Sequence, residues 1–121
     1  MADGGDALAT TLDRVADTVE EAAHDQQQAA RIARDTAAVR RRGGGDDLST
    51  TRSVRQVLDL LARSADLLTS GAGALRRGWA AALADEGLSI RQIGERLGVT
   101  HQRVSALLTR HRQTDSSKSR G

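Results

Sequence analysis

The chain has 121 residues, enough for one domain or one domain with an appendage. It has no Cys and no Pro, and Trp79 is its single aromatic residue, which excludes a disulfide framework, a thiolate zinc site and a cysteine nucleophile and leaves material for a thin core only. The net charge of +2 hides an asymmetry: residues 1–42 hold six Arg against eight acids, residues 43–73 three Arg against four Asp, and residues 74–121 nine Lys and Arg against four acids.

No stretch alternates apolar and polar residues as a strand does, so the expected fold class is all-α. The start, MADGGDALATT, has no basic or apolar run, and no signal peptide or membrane span is expected. Residues 1–5 are expected to be disordered. From about Asp6 to Arg42 the composition predicts one long helix without an internal breaker. Leu8, Leu12, Val15, Val19 and Ala22 follow heptad spacing, and the seam then fades through Gln26, Ala29, Ala33 and Thr36. A stripe of such small residues suits close antiparallel helix packing. In the break RRRGGGDD, three Arg sit where cations favour a helix C-terminus, and Gly43 to Gly45 can end the helix. The Arg triplet would otherwise serve as a phosphate-binding patch.

A second helix is predicted from Ser49–Thr51, with Val54, Val57, Leu58, Leu61, Ala65 and Leu68 as its apolar stripe. Thr69 to Gly73 is expected to end or kink it. The first two helices then form a hairpin with unequal arms, roughly 55 Å and roughly 27 Å at the rise of an α-helix. The N-terminal part of the first arm would overhang, and a second copy of the chain is the simplest cover for it. A third helix is predicted from Ala74 to Glu86, with Leu75, Trp79, Ala82 and Leu83 buried and Gly87 as its stop.

The most specific signal is Leu88 to Arg112. Ser89 and Gln92 have the spacing of a capping box at the head of a fourth helix, Ile90 to Leu97. Gly98 stands at a tight turn, and Thr100 caps a fifth helix from His101 to about Arg110. Leu88, Ile90, Ile93, Leu97, Val99, Val104, Leu107 and Leu108 are the expected inward set. Gly94 falls where the two helices would cross, which gives a small residue there a steric reason. With Val104 inward, steps of 100° per residue turn Gln102, Ala106 and Thr109 outward, Arg103 and Arg110 to one flank and Ser105 to the other.

This arrangement resembles the bacterial helix-turn-helix family over Ile90 to Thr109, and GVTHQRVSALL is similar to the last DNA-reading helix of sigma factors. The family's usual Ala at the crossing is Gly94 here. The resemblance implies a partner, double-stranded DNA, with His101, Gln102, Ser105 and Ala106 approaching base edges. By their chemistry, Gln102 can pair with adenine, Arg103 with guanine or phosphate, and Ala106 can meet a thymine methyl. Thr109 and Arg110 complete the outer face. Ser89, Arg91 and Thr100 suit phosphate oxygens, and Arg76 and Arg77 could reach the flanking backbone.

The expected organisation is therefore a helical hairpin over 1–73, a helix-turn-helix unit over 74–112 and a flexible tail over 113–121. The expected function is a cytoplasmic, nucleoid-associated transcription regulator, homodimeric through its N-terminal helices. Two other readings stay open: a low-specificity architectural DNA binder, and a module that docks on RNA polymerase or another protein. His24, His101 and His111 lack ligand spacing, and GGG at 43–45 lacks the Lys of a phosphate loop, so no catalytic residue, metal or cofactor is expected.

Overall fold

The computed structural model describes the backbone of residues 4–120 and the side chains of residues 7–112. The chain is all-α: four helices, α1 (Gly4–Arg41), α2 (Asp47–Asp85), α3 (Ile90–Leu97) and α4 (His101–Arg120), and no strand among these residues. A long N-terminal helical hairpin is followed by two shorter helices. No described helix is long and apolar enough to cross a membrane. Of the five residues expected to be disordered, the first three lie outside the description, and Gly4 and Gly5 already belong to α1.

Two boundaries differ from expectation. The second and third predicted helices are one continuous helix, α2, of 39 residues against 38 in α1. Thr69 to Gly73 does not end it. A glycine costs a helix only about 1 kcal/mol relative to alanine, too little alone to break one of 39 residues. Gly71 is buried, and a Cβ on Gly78 would come within 3.1 Å of the Thr11 side chain. The two helices are therefore nearly equal in length, and Thr11, in the part of α1 expected to overhang, lies against Gly78 of α2. The last helix also runs on to Arg120 rather than stopping near Arg110, so the stretch expected to be a flexible tail continues α4. No Gly or Pro lies between His101 and Gly121 to stop it.

The contacts divide the chain into two compact units, and the division departs from the expected boundary at residue 73. One unit is Ala16–Ser70, and the other joins the residues up to Val15 to those from Gly71 onward. In the first unit α1 and α2 are joined through Gly43 and Gly45, both at positive φ. Ala22, Asp25 and Ala29 of α1 and Ser64 of α2 are buried there. Of the expected seam in this unit, Ala22 and Ala29 are buried, whereas Val19, Gln26 and Ala33 are exposed and Asp25 takes a place the spacing does not assign. Arg63 reaches across to Glu21, and its Nε lies 3.2 Å from Oδ2 of the buried Asp25. That contact is ionic but lacks hydrogen-bond alignment, and neither Asp25 Oδ2 nor Ser64 Oγ has a hydrogen-bond partner among the described residues.

In the other unit the core is Ala80, Leu83, Ile93, Val104 and Leu107, with Ala84, Leu88, Leu97, Val99 and Leu108 packed against it. Two expected core residues are displaced to its edge. Trp79 is 37 % exposed, because Ala80 and Leu83 set the inward line of α2 and the indole falls beside it. Ile90 is 43 % exposed, since Ile93 and Leu97 set the inward line of α3 and Ile90 opens its first turn.

Candidate nucleic-acid interface

Both α3 and α4 are held at their heads by side-chain caps. The hydroxyl of Ser89 accepts from the backbone N–H of Gln92 at 3.2 Å, and the Gln92 side chain accepts from the Ser89 N–H at 2.9 Å. This reciprocal pair is the capping box that the spacing predicts, with Ser89 in extended backbone. Thr100 Oγ1 accepts from the N–H of Arg103 at 3.3 Å at the head of α4. The two hydroxyls that sequence reasoning assigns to phosphate are thus already acceptors, and each keeps its own proton to donate.

The turn between the helices is tight. Gly98 takes φ +71°, a left-handed conformation that lets the chain turn within the three residues Gly98 to Thr100. The Val99 N–H then donates to the Gly94 carbonyl at 3.0 Å. A Cβ on Gly94 would lie 2.8 Å from the Val99 carbonyl oxygen. The small residue at the crossing is therefore a steric requirement of this turn, stricter than the alanine of the resembled family.

On α4, Val104 and Leu107 are buried and Leu108 is half-buried, which fixes the outward side. Gln102, Ala106 and Thr109 are exposed on it, as expected, and so are His101, Arg103, Ser105 and Arg110. They form one surface along a single helix. Arg91 is exposed on α3, but its Nε lies 3.6 Å from Oε1 of Glu95, one turn on. Arg91, Glu95, Thr100 and His101 line a shallow depression between α3 and α4.

Arg76 and Arg77 stand apart from this surface in the sequence, on α2 one turn before Ala80. Arg76 is exposed. Arg77 is half-buried and lies back along its own helix, with Nη1 3.2 Å from where a Cβ of Gly73 would sit. Of the twelve residues singled out from the sequence, Arg77 is the one that is not exposed.

Sequence reasoning overlooks three exposed groups here. Glu95 sets a negative charge beside Arg91, and Arg96 adds a cation in the last turn of α3. Arg112 extends the charged side chains along the longer α4. The i, i+4 spacing of Arg91 and Glu95 was the available signal for the first. The absence of any breaker after Arg110 was the signal for the last. Among the described residues no cluster of His, Asp or Glu could hold a metal ion. No family model, curated protein or solved structure matches this chain.

Proposed function

We propose that the chain binds double-stranded DNA by laying α4 in the major groove, and that it acts as a bacterial transcription regulator in two copies. One observation carries this reading. A capped helix, set by a tight turn against its predecessor, offers Gln102, Arg103, Ala106 and Thr109 to solvent while Val104 and Leu107 anchor its other side. Gln, Arg and Ala are the residue types that read adenine, guanine and the thymine methyl. The excess of cations in residues 74–121 favours a polyanionic partner. One helix reads only a few base pairs, so sequence specificity needs two half-sites and hence two copies.

Selection of bound duplexes from a random pool tests the reading. The expected product is an inverted repeat with half-site centres about one helical turn, or a whole number of turns, apart. Gln102→Ala with Arg103→Ala should then weaken binding to the selected site by ~10- to 1,000-fold, in line with one or two lost base contacts. A steep salt slope with no enriched motif would instead make the chain an architectural binder. Undiminished affinity in the double variant would remove α4 from the interface and favour docking on another protein.

A further inference from the structure

The unit Ala16–Ser70 leaves one side of its hairpin apolar and open. Val54, Leu58, Leu61 and Leu68 of α2 are large, apolar and exposed, Leu58 by 60 %, and Ala65 is exposed between them. Their spacing, 4-3-4-3, is an unbroken heptad seam. The seam is not the one that closes the hairpin. The side of α2 turned to α1 runs through Val57, Leu60, Ser64 and Leu67, about 100° round the helix at 100° per residue.

Val19 of α1, also exposed, lies a similar ~100° and in the same sense from the line through Ala22, Asp25 and Ala29. In antiparallel arms, equal offsets of the same sense fall on the same side. The Arg63–Glu21 pair, with both offsets in the other sense, spans the opposite side. One side of the hairpin is thus tied by charge, and the other is a bare apolar seam.

The charges along the hairpin say what covers it. The half next to the turn, residues 30–58, holds seven Arg against three Asp. The far half, residues 16–29 and 59–70, holds six acids against one Arg. A second hairpin laid on the seam turn-to-turn would bring two basic ends together and two acidic ends together. Reversed end for end, it meets its opposite charge along its length, and α2 lies against α2 with Leu61, the middle of the seam, at the two-fold axis. The seam is complementary to itself in that orientation alone.

We propose that this face docks a second copy of the chain, antiparallel, to build a four-helix bundle. The inference deepens the two-copy part of the DNA reading, but uses no residue of α4. It also moves the contact from the α1 seam, where the sequence suggests it, to α2.

Sedimentation of the full chain without DNA is the first test, so failure here is separable from failure of DNA recognition. A dimer is expected at tens of micromolar. Leu58→Glu with Leu61→Glu, both at exposed positions, should raise the dimer dissociation constant ~100-fold or more while helical circular dichroism is unchanged. The chain has no Cys, so single cysteines report orientation without background. Under mild oxidation Leu61→Cys should link two copies and Val54→Cys should not, because antiparallel pairing carries residue 54 away from its counterpart. A monomeric wild-type chain would overturn the proposal and leave the face to a different protein. A dimer indifferent to the two Glu substitutions would overturn the choice of face. Val54→Cys linking as readily as Leu61→Cys would overturn the antiparallel arrangement.

Discussion

The 2.8 Å between a Cβ on Gly94 and the Val99 carbonyl oxygen gives one atom a measurable consequence. Alanine at an ordinary helix position would gain about 1 kcal/mol over glycine. At this one the added methyl meets backbone, which cannot swing aside, and the turn through Gly98 at φ +71° leaves little slack. Overpacking typically costs about 1–3 kcal/mol. Gly94→Ala is therefore expected to destabilise the chain by roughly 0–2 kcal/mol net, where an ordinary helix position would gain about 1, read as a lower urea midpoint with the slope unchanged. Stability above wild type would mean that α3 and α4 cross farther apart than described. The steric reason for a small residue was legible in the sequence from spacing alone. That even alanine is too large was not, because it depends on where the carbonyl of a residue beyond the turn comes to point.

At the scale of whole elements, the helix α2 shows where local reading stops. Caps and turns of α3 and α4 were legible because their hydrogen bonds join residues three to five apart. Ser89 with Gln92, Thr100 with Arg103 and Gly94 with Val99 all close within one such span. The run Thr69-Ser70-Gly71-Ala72-Gly73 reads locally as a break, yet the helix continues through it. The glycines there cost the helix only about 1 kcal/mol each. Beyond the run a distant segment does come close, Thr11 against Gly78, which local spacing cannot show. The displacement of Trp79 has the same origin: a helix that does not restart at Ala74 carries one phase throughout, and that phase turns Ala80 and Leu83 inward. The two glycines Gly73 and Gly78 separate a helix position from a contact position. A Cβ on Gly73 would meet only the movable end of Arg77, at 3.2 Å, whereas one on Gly78 would meet the Thr11 side chain from two atoms at 3.1 Å. Gly73→Ala is expected to stabilise by about 0.5–1 kcal/mol. Gly78→Ala should gain less than that or lose stability, in the same urea titration. A destabilised Gly73→Ala variant would show that the chain does bend at the place the sequence suggests.

For the whole molecule, the consequential finding is that the unit carrying α3 and α4 is not a C-terminal block. It includes the chain up to Val15, with Leu8, Thr11 and Val15 half-buried and Thr11 close against Gly78. A boundary at residue 73 cuts this unit away from one of its own helices. The remaining fragment, 74–121, would have fewer than 50 residues and a core of five buried side chains, a size at which a single core is marginal. Without α1, the stretch of α2 around Gly78 loses its cover. The fragment is expected to melt at least roughly 10 °C below the full chain, with a broader transition followed at 222 nm, because a loss of even 2 kcal/mol is a large fraction of what so small a core provides. A variant lacking only the α1 segment through Val15 should lose a similar amount from this unit while the hairpin Ala16–Ser70 keeps its helical signal. If the 74–121 fragment instead melts cooperatively at the temperature of the full chain, the first turns of α1 contribute nothing to it. The proposed DNA contact and the proposed pairing of copies would then sit in separable blocks. If it melts early as expected, the start of α1 supports the surface formed by Gln102, Arg103, Ala106 and Thr109 through packing, and substitutions at Thr11 would weaken the proposed DNA binding from outside the proposed interface.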